Sequence, residues 1–405
     1  MTSLIHDETD TGRTRPDPIR TDAQAREVAT VLAADFAVTA ADRDRDRRLP
    51  HTELDALSRS GLLGISVPAR FGGVDLPVGT IAEVIRLLAT ADASIAQIPH
   101  SHFVFLDALR RRGTDRQQGR VFTDILDGAR LANAQSERGG ATVTDDATTL
   151  RRLPGGDLEL TGTKYYSTGA LFADILAVRA VHEGRKVLVY LPRETPGITV
   201  VDDWDGLGQR TTASGTVTLE RVPVTAEQVV DFSSLFDAPA TFGARAQLLH
   251  AAIDTGIARG ALAAATDAVR GARPWFEANV ARASDDPLVI QQAGELDVVV
   301  RGAEALLRDA AAAIESAEQA PTADATARAS IATATAKVAA GRAGVDVSSA
   351  LFEIGGTRSA AAKHNLSRYW RDARTHTLHD PERWKIQHIG RWVLTGTPPP
   401  RHGQI

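Results

Sequence analysis

The sequence predicts an α+β protein in three blocks: an N-terminal helical domain over residues 22–128, a central β domain over 129–241 and a C-terminal helical bundle over 242–405. Three observations lead there. Apolar residues recur at spacings of three and four in the outer blocks, as one face of an α-helix requires. After Gly128 the chain breaks into short β-branched and apolar runs separated by Gly, Pro and Asp. No such run alternates with a long helix, so a doubly wound parallel sheet is not indicated.

Residues 1–21 are polar, carry Pro16 and Pro18 and lack an apolar stretch, so they read as a disordered tail and not as a signal peptide. Ala23 to Ala40 is the first helical segment. Ile81 to Thr90 is another, with Ile81, Val84, Ile85 and Leu88 in one stripe; between them Pro68 and Gly72-Gly73 mark a loop. In the second block Asp157 to Thr161 alternates apolar and polar residues, and Ile175 to Val181, Val187 to Leu191, Ile198 to Val201 and Thr216 to Val222 are further strands. In the third, Leu249, Ile253 and Ile257 line one helix, Leu296, Val300, Ala303 and Leu307 a second, and Ile331, Ala334, Val338, Val345 and Phe352 a third. Such helices pack as an antiparallel bundle. Their many alanines permit close approach, within a subunit or between subunits.

At 405 residues the chain can build two or three domains and a large core. Its net charge of −5 lacks the basic excess of a nucleic-acid binder. The most apolar long run, Leu248 to Val269, is interrupted by Asp254, Arg259 and Asp267, so it reads as a buried helix and not a membrane span. A cytoplasmic protein is expected. There is no cysteine, which excludes disulfides, thiolate catalysis and cysteine metal sites, and the one methionine is residue 1. No glycine-rich phosphate loop of the Walker type is present.

The densest chemistry lies in Arg371-Asp-Ala-Arg-Thr-His376-Thr-Leu-His379-Asp380-Pro381. At helical spacing His376 and His379 share one face, and Pro381 predicts that the helix stops at or just before Asp380. Imidazoles titrate near neutral pH and suit general acid–base work, and the arginines suggest a nearby anion. A site of two histidines and one carboxylate is also a metal-binding pattern, but Arg371 and Arg374 crowd it and disfavour a cation. A second pair, His100 and His102, lies in the first block.

Several stretches resemble acyl-CoA dehydrogenases, in the family's order. Asn133-Ala-Gln-Ser136-Glu137-Arg-Gly139-Gly140 is similar to a Thr-Glu-x-x-Ala-Gly-Ser segment without its ending. Gly162-Thr-Lys-Tyr-Tyr-Ser167-Thr-Gly169 resembles the segment against the flavin ring. Leu207-Gly-Gln-Arg210 with Val222-Pro223, and Phe352-Glu-Ile-Gly355-Gly356, match two further blocks. Where the dehydrogenases have a Tyr-Glu-Gly bearing their catalytic carboxylate, this chain reads His379-Asp380-Pro381. That change, with Asp202-Asp-Trp204-Asp205 and Ala272-Arg273-Pro274-Trp275-Phe276, resembles the flavin-dependent monooxygenases related to dibenzothiophene monooxygenase, the sulfur acquisition oxidoreductases among them.

The resemblance implies reduced FMN supplied by a separate NAD(P)H-dependent flavin reductase, a C4a-peroxyflavin, and oxygenation of a small organosulfur substrate. It implies catalytic roles for His379, for His102 in preference to His100, and for Ser167 near the flavin N5. Asn133, Ser136, Ser167, Trp204, Gly355, Gly356 and His376 become flavin contacts, and Arg273 and Arg371 hold the FMN phosphate. Because Arg273 matches a position that reaches a neighbouring subunit's flavin, a homo-oligomer, tetramer or dimer, is implied. The alternative is an FAD-dependent acyl-CoA dehydrogenase with Asp380 as base.

Overall fold

The computed structural model describes residues 16–142 and 144–405. Among these, helices α1 (Asp22–Asp46), α2 (His51–Arg59), α3 (Val78–Ala91), α4 (Ala93–Arg112) and α5 (Asp115–Leu126) form the first block. Caps set their starts: Thr21, Asp92 and Thr114 each accept a backbone N–H of the first turn, satisfying donors that a helix leaves free. The loop expected around Pro68 and Gly72-Gly73 follows a short 3₁₀ turn, Ala69–Phe71.

The predicted tail falls mainly on residues 1–15, outside the described residues. Residues 16–21 depart from that expectation. Ile19 is buried in the helical core, and a Cβ on Gly61 would stand 2.4 Å from the Asp17 carbonyl, so the segment lies packed along the chain at Gly61. One apolar side chain among polar neighbours anchors it.

Strands β1 (Leu131–Ala134), β2 (Thr149–Arg152), β3 (Leu158–Lys164), β4 (Ile175–His182), β5 (Arg185–Pro192), β6 (Ile198–Val201), β7 (Thr216–Val224) and β8 (Val229–Asp231) make one sheet in the order β6-β7-β3-β2-β4-β5-β8, with β1 parallel to β4. Leu150, Leu160, Leu176, Val178, Val189, Val217 and Leu219 fill its own core. That core is separate from the larger one shared by the helices, so the sheet is a rigid platform against which helices close.

Helices α6 (Phe242–Arg270), α7 (Pro287–Gln319), α8 (Ala323–Gly355), α9 (Ser367–His376) and α10 (Glu382–Thr395) form the third block. In α6 the buried residues run almost without break from Phe242 to Leu262, because α3, α4, α7, α8 and α9 all pack on it. None of the described helices is long and apolar enough to cross a membrane.

One boundary differs from expectation in a way that matters. Helix α9 ends at His376, not at Asp380. After Thr377 donates to Ala373, the next N–H groups, of Leu378 and His379, reach back only three residues, to Thr375 and His376. The chain is tightening into a turn ahead of Pro381, whose ring disfavours helix in the residue before it. His376 and His379 therefore do not share a helix face: the first is buried, while the second has 43 % of its side chain exposed.

Candidate active site

Four histidines from three elements meet where α4, α6 and α9 cross. His100 comes from α4, His250 from α6, His376 from the last turn of α9, and His379 from the turn beyond it. The His250 ring lies between two others, 3.8 Å centroid to centroid from His100 and 4.0 Å from His379. Its Nδ1 is 2.9 Å from His376 Nε2, and His376 Nδ1 is 2.5 Å from Asp254 Oδ1. Asp254 stands one turn after His250 on the same face of α6, and its other oxygen accepts from Lys337 of α8 at 2.8 Å.

Burial dominates the charge state of this group. It pushes His250 well below the ordinary imidazole value, and repulsion from His100, His379, His376 and Lys337 would add to the effect wherever those groups are protonated. His100 is lowered to about 3, again by burial first, although its bond to the Ala246 carbonyl at 3.0 Å opposes the shift. His376 is lowered by burial in spite of Asp254. For Asp254 burial works upward, and His376 and Lys337 outweigh it, so the carboxyl lies below its usual range. The shifts of His100, His250 and His376 favour neutral imidazoles, and that of Asp254 favours an ionised carboxylate.

Asp380 follows directly. Its Oδ1 is 3.6 Å from His379 Nδ1, and its Oδ2 is bonded to the Lys385 ammonium, which also donates to the Gln404 carbonyl at 2.9 Å. Burial raises Asp380, but His379, Lys337 and Lys385 together hold it far below the carboxylate range.

The β domain contributes a second group of residues. Gly169 touches both helix and sheet: a Cβ there would stand 3.0 Å from Ile98 of α4 and 3.8 Å from Ala132 of β1. Just before it, Tyr166 takes a left-handed φ of 57°, and in the loop beneath, Gln209 and Ala213 do so at 49° and 45°. Such backbone persists only where surroundings enforce it, and it gathers at functional sites. The enforcement is visible. Gln209 N–H donates to Asp372 Oδ1 at 2.6 Å, Gly208 N–H donates to Thr375 Oγ1 at 2.9 Å, and a Cβ on Gly208 would stand 2.0 Å from the Arg371 carbonyl. Burial first, then repulsion from Asp44, pushes Asp372 up to about 7.

Asn133 Oδ1 and Ser167 Oγ in this region are buried without a partner among the described residues, as are Gln97 Oε1 and Gln209 Nε2. Buried polar atoms are rarely left so. Unmet donors and acceptors on elements joined through Gly169 and the Gln209 loop suit the polar edge of a bound flavin. Ser136 holds the region by its backbone, accepting from Tyr165 N–H at 2.8 Å, while its side chain is exposed. Trp204 donates Nε1–H to the Gln209 carbonyl at 2.9 Å and packs over Gly206. Gly355 and Gly356 end α8; Gly356 has φ 67° and ψ −169°, a conformation essentially reserved for glycine. Arg273 is exposed, next to the exposed Trp275 and Phe276.

Three residues sit differently from expectation. His102, preferred over His100, is away from the stack: its Nδ1 accepts from Leu131 N–H at 3.1 Å and its Nε2 donates to the Leu63 carbonyl at 2.9 Å. Both nitrogens are consumed, one tying α4 to β1 and the other to the turn at Leu63, and it is His100 that reaches the stack. Arg371, expected at a phosphate, is bonded to Asp44, to Asn365 Oδ1 at 3.0 Å and to the Leu207 carbonyl at 3.2 Å. His376, expected against the flavin, has both ring nitrogens engaged by Asp254 and His250. His250, Asp254 and Lys337 are not singled out by the sequence, although a histidine and an aspartate four apart within the most apolar long run were the available signal.

The chain matches the acyl-CoA dehydrogenase N-terminal domain over residues 21–129, the middle domain over 132–222 and the C-terminal domain over 248–381. It is 31% identical to dibenzothiophene monooxygenase from Rhodococcus qingshengii, over 92% of this chain and 93% of that one. With the probable FMNH2-dependent monooxygenase SfnC from Pseudomonas putida it shares 34% identity over 92% and 95%. The crystal structure of FMN-bound TdsC from Paenibacillus sp. A11-2 superposes with a TM-score of 0.89 at 34% identity, covering 94% of this chain and 100% of that one. The chain belongs to the acyl-CoA dehydrogenase family, and within it to the flavin-dependent monooxygenases related to dibenzothiophene monooxygenase.

Proposed function

We propose that the protein is a two-component monooxygenase that takes reduced FMN from a separate NAD(P)H-dependent flavin reductase in the cytoplasm and oxygenates a small organosulfur compound. What carries this reading over a dehydrogenase is the pairing of Asp380 with Lys385. A base that removes the α-proton of a thioester needs a carboxylate free to accept it. Asp380 is held by an ammonium, and the His379 ring stands 3.6 Å from its other oxygen. The names of the relatives, monooxygenases of dibenzothiophene and an FMNH2-dependent enzyme, support the same chemistry.

Bound FMN would supply the oxygen chemistry, by the C4a-peroxyflavin route. The residues of this chain bind, seal and manage protons. Asn133 Oδ1 and Ser167 Oγ would gain flavin partners for their unmet bonds. Trp204 and the Gly355-Gly356 turn would border the ring, Ser136 its edge, and Arg273 would reach the phosphate, from its own subunit or from the next one in a homo-oligomer. His379, partly open to solvent beside Asp380, exchanges protons with the reaction space; His100 and His250 keep that space apolar in charge and closed to water. Rapid mixing of the protein with reduced FMN and then oxygen, followed by flavin absorbance, tests this. A long-lived oxygenated flavin supports it, and reoxidation at the rate of free FMN overturns it.

A further inference from the structure

We propose that Asp254, His376 and His250 form a buried proton relay that ends at His250 Nε2, inside the cluster that also holds His100 and His379. This goes beyond the monooxygenase reading and rests on it only for the reaction that the relay would serve.

The tautomers follow from the geometry. Asp254 is acceptor-only when ionised, so the His376 nitrogen 2.5 Å from it, Nδ1, must carry a hydrogen. In neutral His376 that leaves a lone pair on Nε2. The partner 2.9 Å away, His250 Nδ1, must then be the donor. One consequence remains: His250 Nε2 bears a lone pair, and among the described residues nothing hydrogen-bonds it. A side chain 2 % exposed is thus left with one basic nitrogen and a bonded path to a carboxylate.

A proton arriving at His250 Nε2 would be matched by transfer of the His250 Nδ1 proton to His376 Nε2. His250 ends neutral with its hydrogen moved to Nε2, and the positive charge rests on His376 against Asp254. The reverse transfers return the proton. No bond other than N–H forms or breaks. The charged groups facing His250 fit this direction of travel. His100 and His379 flank its ring, where no carboxylate among the described residues stands to pair a positive charge, while Asp254 at the far end supplies the negative partner and Lys337 fixes that carboxylate from its other oxygen. Asp380 and Lys385, beyond His379, neutralise each other. His376 and Asp254 are therefore positioning residues. Such a relay suits a cycle that takes up a proton at one step and hands it back at another.

The test uses the full chain labelled with ¹⁵N-histidine. In the flavin-free wild-type protein, NMR is expected to show a strongly downfield His376 Nδ1–H and a His250 protonated at Nδ1 alone. With FMN and reductase, Asp254→Asn and His250→Phe should each lower kcat about a hundredfold, as loss of general acid–base assistance does, with KM little changed and the pH profile altered. His250→Phe preserves the stacking, so it stands in should Asp254→Asn fail to fold. A wild-type spectrum with His250 protonated at Nε2, or variants with unchanged kcat and pH profile, would overturn the relay. If the wild-type enzyme oxygenates nothing, the monooxygenase reading fails, and the flavin-free spectrum still decides the relay.

Discussion

Asp380 and Lys385 form an ion pair in which each side chain is only 3 % exposed, and the same ammonium holds the Gln404 carbonyl of the C-terminal segment. A carboxylate at this place in the chain is thereby made a structural group instead of a base. Removing one partner strands the other. Lys385→Met is expected to destabilise the protein by about 3 kcal/mol, the cost of a buried charge left alone, measured by urea unfolding. Stability equal to wild type would show that water reaches Asp380, and the dehydrogenase alternative would regain its base.

Ser167 gives a prediction of unusual sign. Its hydroxyl is buried with no partner among the described residues, so Ser167→Ala should leave the flavin-free protein as stable as wild type or more so. FMN binding should weaken about fivefold, the worth of one hydrogen bond. Calorimetry on both forms checks this. Destabilisation without loss of FMN affinity would mean that the hydroxyl has a structural partner.

Arg371 should behave in the opposite way. It joins α9 to Asp44 of α1 and to the Leu207 carbonyl. Arg371→Ala is expected to cost about 2–3 kcal/mol in unfolding, because Asp44 and Asn365 lose a charged donor. The FMN affinity of the folded protein should hold. Affinity loss at unchanged stability would restore Arg371 as a phosphate ligand.

His102 sets a pH dependence. Burial is the chief cause that lowers it from 6.5 to about 4, against the opposing bond to Leu63. The unfolded chain therefore binds this proton first as pH falls. Stability that is complete above about pH 6.5 is lost progressively toward pH 4. His100, lowered to about 3, adds to the same slope. His102→Gln should lower Tm at neutral pH, since it cuts the tie between α4 and β1, yet flatten the fall in Tm on acidification. Activity of the folded variant should persist; a specific loss of kcat would return His102 to catalysis.

The order of helices and sheet was legible because period-3.6 and period-2 patterns are written locally, residue by residue. The pairing of side chains across the fold was not. Arginines near histidines indicated an anion, and Arg371 does hold one, but it is Asp44, 327 residues away in sequence. His100 and His102 lie two apart on α4, so they face different ways, and nothing local tells which way the stack lies. His250 and Asp254 were hidden by their setting: within the run from Leu248 to Val269 Asp254 registered only as an interruption to hydrophobicity, whereas in the fold it anchors the histidines. Ile19 was lost among polar neighbours for the same reason, since a single anchoring residue has no period.

The central claim is that oxygen from O₂ is delivered to sulfur. The most direct measurement supplies the protein with FMN, a flavin reductase and NADH under isotopically heavy dioxygen, offers a panel of thiophenes, sulfides, sulfones and sulfinates, and weighs the products. The account predicts a product carrying one heavy oxygen atom per turnover, absent when FMN or the reductase is left out. No labelled product from any compound, together with tight FAD binding and reduction of that FAD by an acyl-CoA thioester, would contradict it.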